Sequence, residues 1–311
     1  MGVYHRSLDL ARVRRCLMAQ NLDQNTAREL LPLRDDRQAK WHFGRTALVC
    51  GSAGMSGAAL LATQAALRSG AGLVQLCSVA EVIAAARMVV PEALLLPVAR
   101  QVEDIPGAIH KDAAWIILGQ AEKAQSLLFG CGVSITDHGY RLLKSLTANY
   151  AGTMVIDADG LNLLAEHLSL LYNIPNRCIL TPHIGEFCRL SGLTREQVES
   201  DPDGAAMAFA AKHNCVLVLK GARTVITDGQ RRYVLEAPNS GMAKGGSGDV
   251  LAGLTAGLAA QMPQKPLECA ALAVWLHSRA GQLARQAQGA HAMLPRDVLD
   301  CLGKAFLELE G

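Results

Sequence analysis

The chain has 311 residues, 50% of them apolar, and a formal net charge of +2. That length allows a large α/β core, while the near-neutral charge and 4% aromatic content exclude a nucleic-acid binder built on phosphate neutralisation or base stacking. No apolar run approaches the roughly 18 residues of a membrane helix, and the opening MGVYHRSLDLARVRRCL is too charged for a secretory signal.

The nine cysteines are scattered without a CxxC pair, which suits buried thiols in a reducing cytoplasm better than a disulfide or zinc framework. Residues 1–30 are polar and charged. They are expected to form an N-terminal extension, either a helix or a mobile arm, ahead of a single domain over 31–311. Strands apolar on both faces are predicted at Thr46–Cys50, Gly72–Cys77, Ala114–Leu118, Thr153–Ile156, Cys178–Thr181 and Cys215–Leu219. Helices are predicted at Ala58–Ser69, at Leu161–His167 behind an N-cap at Asp159, and at Val250–Gln261 behind Asp249. TVITDGQRRYVLE, residues 224–236, predicts a hairpin turning at Asp228–Gly229. Alternating strands and helices give an α/β fold: an open, mostly parallel central sheet with helices on both faces and a late β-hairpin.

Several junctions carry residues suited to chemistry. VCGSAGMSGAALL, from Val49, leads from strand to helix with GxxGxxG spacing. That is not the GxGxxG of a dinucleotide turn, so an oxidoreductase is disfavoured and a pocket wall or a plain turn is expected. FGCGVS, Phe129–Ser134, is a further glycine turn, expected after the strand near Leu118; its Cys131 has no cationic or His neighbour in sequence and is expected to be inert. In VIDADGLNLL, Asp157 ends a strand and stays undecided between structure and chemistry. LTPHIGEF places His183 and Glu186 three apart, either as a helix N-terminus or as ligand and Mg²⁺ holders. VLKGART puts Lys220 and Gly221 at a strand end, where a cation and an approachable backbone suit nucleotide phosphates.

AKGGSGDVLAGL is the densest of these stretches. Gly245, Gly246, Ser247 and Gly248 can turn backbone amides inward as an anion nest, with a helix N-terminus aimed at the same point. A carboxylate there repels phosphate, so Asp249 is either a base for a hydroxyl that attacks a phosphoryl group or a helix cap. Lys244 precedes the glycines and no GK[ST] follows, which excludes a Walker A loop.

In this order, GSxGMxGAA, RSGAGLV, VPE, DADGLN, LTPHxGEF, KGxxT and NSGMAKGGSGDVLAG are similar to the motifs of the NAD(P)H-hydrate dehydratases of the ribokinase-like superfamily, from about Arg34 to Cys301. The resemblance implies dehydration of the S epimer of hydrated NADH or NADPH, with ADP or ATP as phosphoryl donor and Mg²⁺ as cofactor. It implies Asp249 as base or substrate ligand, and Ala58, Gly132 and His183 as substrate contacts. Lys220, Gly221, Ala222, Arg223, Thr224 and Gly248 would contact the nucleotide, with Glu186 near hydrated Mg²⁺. It also implies a homo-oligomer and work alongside a separate epimerase. The departures are Cys131 and Ser134 in the family's GPGLG loop, Ile184 in TPHPGE, and Lys244 before the glycines. A small-molecule kinase of the same superfamily and a catalytically weakened nucleotide-binding protein are the alternatives.

Overall fold

The computed structural model describes residues 19–98, 107–175 and 177–311. Ten strands among them form one sheet, ordered β1-β10-β9-β8-β7-β6-β5-β2-β3-β4. They are β1 Gln20–Asn21, β2 Arg45–Val49, β3 Leu73–Ser78, β4 Leu94–Pro97, β5 Ser126–Phe129, β6 Thr153–Ile156, β7 Cys178–Leu180, β8 Val216–Leu219, β9 Arg223–Thr227 and β10 Arg232–Glu236. From β4 across to β8 every pairing is parallel. β9 and β10 then form the expected hairpin, antiparallel, with Leu217 opposite Thr227 and Tyr233 opposite Ile226. The central strands are wholly buried, as apolar residues on both faces require.

The helices are α1 Gln24–Leu30, α2 Ser56–Arg68, α3 Ala80–Val89, α4 Ala113–Ala121, α5 Asp137–Asn149, α6 Asp159–Ala165, α7 Ile184–Ser191, α8 Arg195–Ser200, α9 Pro202–His213, α10 Ser247–Gln261, α11 Pro266–Ala292 and α12 Pro295–Glu310. β2 continues to β3 in one direction across the sheet and β5 to β6 in the other. Right-handed crossovers therefore put α2 on one face and α5 and α6 on the opposite face. α10 packs on α2, and α11 packs on α10 and α12. The strand order reverses between β2 and β5, which opens a crevice at their carboxyl ends.

Four expectations need correction. Ala114–Leu118 is not a strand but the middle of α4: Ala113, Ala114, Ile117 and Ala121 are buried while Trp115 is exposed, a helical period. The strand before the Gly130–Gly132 turn is instead SLLF, β5, so that turn does not follow a strand near Leu118. Asp159 is not an N-cap; that position is Ala158, and Asp159 Oδ2 accepts from Ser134 N at 3.0 Å. α10 also starts earlier than Val250, at Ser247, which brings Asp249 inside its first turn.

Of the expected N-terminal extension, residues 1–18 lie outside the described residues. Gln20–Asn21 pairs parallel with β10, and α1, capped by Asp23 accepting from Thr26 N at 2.8 Å, packs on α11 and α12.

Candidate functional site

β6 ends at Ile156, and Asp157 follows it, buried, at the mouth of the crevice. Its Oδ1 accepts from Thr181 Oγ1 at 2.8 Å and from Lys220 Nζ at 2.9 Å. Ala158 has φ 50 and ψ −121, a conformation that costs a non-glycine residue roughly 1–3 kcal/mol. The chain accepts that strain where Asp157 must face the crevice and α6 must begin two residues later. Gly130, at φ 128, lies under this turn, where a Cβ would sit 2.0 Å from the Asp157 carbonyl oxygen.

After β7 the backbone reaches His183, which caps α7. Its Nδ1 accepts from Gly185 N at 3.0 Å and Glu186 N at 3.3 Å, while Glu186 Oε2 accepts from His183 N at 2.8 Å. The cap and the ligand-holding alternatives are therefore compatible, because the same two side chains line the cavity. After β8, Lys220 N donates to Pro182 O at 2.9 Å, which joins this strand end to the α7 cap.

The glycine stretch closes the fourth side. Gly246 adopts φ 100 as the cap of α10, and a Cβ there would come 2.7 Å from Leu61 of α2. Ser247 N donates to Lys244 O and Val250 N to Gly246 O, so the amides of Gly248 and Asp249 carry no bond in that ladder. They point at the cavity with the positive end of a 15-residue helix behind them. A Cβ at Gly248 would lie at ordinary contact distance from Lys220 Nζ, 3.4 Å, and Asp157 Oδ2, 3.6 Å, so this position adjoins the ammonium. Lys244 turns away, its Nζ donating to the carbonyls of His291 and Met293 at 2.7 Å each.

Together these junctions wall a cavity of about 750 Å³, a size that suits a nucleotide. His183, Glu186, Lys220, Gly221, Ala222, Thr224 and Gly245 through Asp249 line it, as does Asp157. Leu235, Met242, Leu251 and Val274 add apolar wall to it. Arg223 does not line it; its guanidinium is turned to Asp203 and, at 3.5 Å, to Glu236. Ala58 and Gly132 do not line it either. They meet at the β2–β5 ends, where a Cβ on Gly132 would lie 3.2 Å from that of Ala58, one residue from Cys131. Cys131 in turn reaches Asp249: its sulfur and the Asp157 and Asp249 carboxylate oxygens lie within 4.8 Å of one another.

Three carboxylates, Asp157, Glu186 and Asp249, thus surround one ammonium, Lys220. Burial, then the Asp157 charge, pushes the Asp249 carboxyl up to about 6, with Cys131 and Lys220 opposing. Burial likewise raises Glu186, against the pull of Lys220. Burial by itself would lower Lys220, but Asp157 and Glu186 outweigh it and hold the ammonium charged. The Cys131 thiol is pushed well up by its contact with Cys50 and by burial, which favours its protonated form. A site with this excess of negative charge accepts a polyphosphate only with added cations.

The sequence reading left Asp157 undecided and did not single out His277 or Ser278, which α11 brings to the cavity wall. Asp157 had a signal, its place at a strand end; His277 sits mid-helix in an apolar run and had none. A second cavity, about 840 Å³, opens at the other end of the strands. Its arginines are already engaged: Arg177 by the Tyr150 and Gly152 carbonyls, and Arg231 by Asp228 and Glu268.

Residues 46–304 match the family model described as NAD(P)H-hydrate dehydratase. The chain is 39% identical over 285 residues to the bifunctional NAD(P)H-hydrate repair enzyme of Moorella thermoacetica, covering 91% of this chain and 53% of that one. It therefore spans about half the length of that relative. Among solved structures, a ribokinase-like superfamily protein of Enterococcus faecalis superposes with a TM-score of 0.80 at 26% identity, covering 94% of this chain and 96% of that one. The ADP/ATP-dependent NAD(P)H-hydrate dehydratase of Bacillus subtilis, co-crystallised with ATP/Mg²⁺, superposes with a TM-score of 0.76 at 26% identity, covering 94% and 99%.

Proposed function

The chain belongs to the NAD(P)H-hydrate dehydratase family, and from that premise we propose that it repairs hydrated nicotinamide cofactors with an adenine nucleotide as phosphoryl donor. The substrate is the S epimer of 6-hydroxylated NADH or NADPH. The terminal phosphoryl group of ADP passes to the 6-hydroxyl, and elimination of phosphate restores the dihydronicotinamide and leaves AMP. ATP is the alternative donor, and the ADP/ATP-dependent Bacillus relative supports that nucleotide class.

The observation that carries this reading is the placement of Asp249. It is a half-buried carboxylate, raised to about 6, in the first turn of the helix whose amides and neighbouring Lys220 suit phosphate oxygens. Such a carboxylate is ionised at neutral pH yet basic enough to accept the hydroxyl proton as the phosphoryl group transfers. Gly245, Gly246, Ser247, Gly248 and Lys220 would hold the phosphates. Gly221, Ala222 and Thr224 would line the nucleoside, with Arg223 contributing backbone only. His183, Ala58 and Gly132 would face the hydrated ring, on the β2–β5 side of Asp249.

Magnesium fits the donor set: hard carboxylate oxygens exceed the cationic groups around the cavity, and Glu186 would hold the hydrated ion through water. When bound, the ion supplies neutralisation of phosphate charge. A homo-oligomer, and supply of the S epimer by a separate epimerase, belong to the same proposal. The bifunctional relative, which this chain half spans, supports a second repair activity working alongside this one.

The test adds ADP or ATP to hydrated NADH and follows near-ultraviolet absorbance together with free phosphate. Both should rise in equal amounts. A stable phosphorylated product would instead make the protein a small-molecule kinase. Nucleotide binding with no turnover would make it a catalytically weakened binder, the outcome that the altered Gly130–Ser134 loop favours.

A further inference from the structure

Beside the glycine turn, in the wall of the cavity, stands His277, from α11. Its ring meets the backbone of Ser247, the first residue of α10. Nε2 is buried and has no hydrogen-bond partner. Burial pushes this imidazole down to about 4, so it remains neutral throughout the neutral range.

Two neighbouring polar side chains are already committed: Asn239 donates to Gly281 O at 2.9 Å and accepts from Gly241 N at 3.1 Å, and Lys244 is spent on the α11 terminus. A buried polar atom without a partner is uncommon in folded proteins and is costly to keep. It persists most naturally where a ligand completes it. A nucleotide whose phosphates lie on the Gly245–Gly248 turn, which His277 meets at Ser247, carries its ribose next to them, and ribose hydroxyls both donate and accept.

We propose that His277 contacts the bound nucleotide by forming a hydrogen bond with a ribose hydroxyl through Nε2, and so makes the site select ribonucleotides over deoxyribonucleotides. This inference rests on the nucleotide reading of the cavity. Since Nε2 is closed to water in the unliganded protein, engagement requires a small turn of the ring or of the wall beside it as the ribose enters.

Calorimetric titration of the full chain with ADP, 2′-deoxy-ADP and 3′-deoxy-ADP tests it. Wild-type protein should bind ADP about tenfold more tightly than at least one deoxy analogue, the size expected for one buried hydrogen bond. H277A should bind ADP and that analogue within about twofold of each other, and H277Q, which keeps an acceptor and a donor, should recover part of the preference. If H277A is too unstable to titrate, H277F fills the buried volume and carries the same comparison. Equal discrimination in wild type and variants, or none in wild type, overturns the assignment. Wild-type protein that binds no ADP at all overturns the nucleotide reading itself, so the two failures are told apart.

Discussion

In the proposed reaction Asp249 is needed in its charged form, yet the side chain sits where charge is disfavoured. Its carboxyl is raised from 3.8 to about 6 by burial and by Asp157. Turnover should therefore fall below about pH 6 as the base is protonated, which a pH profile of kcat/KM will show as an acid limb. The same shift acts on stability in a defined window. A carboxyl raised on folding contributes stability that is fully present below its unfolded value and is lost as pH rises through the folded one. D249N carries no such group, so its stability relative to wild type should rise between about pH 4 and pH 6 and level off above. The shift from 3.8 to about 6 corresponds to at most about 3 kcal/mol. Chemical denaturation of both proteins at several pH values measures it, and a difference that does not vary with pH would contradict the assigned shift. The variant should still bind ADP while losing roughly 10²–10⁴ of turnover; wild-type turnover in D249N would remove Asp249 as the base.

At the scale of elements, the site depends on how closely α10 lies against α2. Gly253 and Gly257 permit that approach: a Cβ at Gly253 would sit 2.0 Å from the Ala62 carbonyl oxygen, and one at Gly257 2.0 Å from Ser69 Oγ. G253A cannot be absorbed by a flexible side chain, because the obstacle is backbone, so α10 must shift. About 1–3 kcal/mol of stability should be lost, and activity should fall further than stability alone explains, since Asp249 rides on α10. A thermal melt combined with a turnover assay separates the two, and wild-type activity in a folded G253A would show that the contact does not position the base. This packing was not legible in the sequence, where the two glycines looked like ordinary helix residues. Strands such as TMVI were legible because burial on both faces leaves an unbroken apolar run, and the hairpin because Asp228–Gly229 marks its turn. AWIIL misled because five apolar residues fit a strand or a buried helix turn equally well, and only the exposed Trp115 reveals the helical period.

Across the whole molecule, the candidate site is assembled by strand order. Asp157, His183 and Lys220 lie far apart in sequence, yet they follow β6, β7 and β8, which are neighbours in the sheet. The junction motifs could be read one by one because each carries its own glycine, cap or charge. Their convergence could not, since it depends on long-range pairings that no local pattern encodes. The pair that joins two of these junctions gives the most direct test. Lys220 Nζ lies 2.9 Å from Asp157, whose side chain is 2% exposed, and removing one partner of such a pair costs about 3–5 kcal/mol. K220M should therefore melt well below wild type. The double variant K220M/D157N should regain part of that loss, because the buried Asp157 charge is no longer left without its partner. Nucleotide binding should not return with stability, since the ammonium proposed to meet the phosphates is absent in both variants. Saturating ADP, at a hundred times its dissociation constant, stabilises a binding protein by about 2.7 kcal/mol. Wild type and D249N should accordingly melt higher with ADP, whereas the stable double variant should not. An ADP-dependent rise in the double variant equal to that of wild type would show that the phosphates do not rest on Lys220.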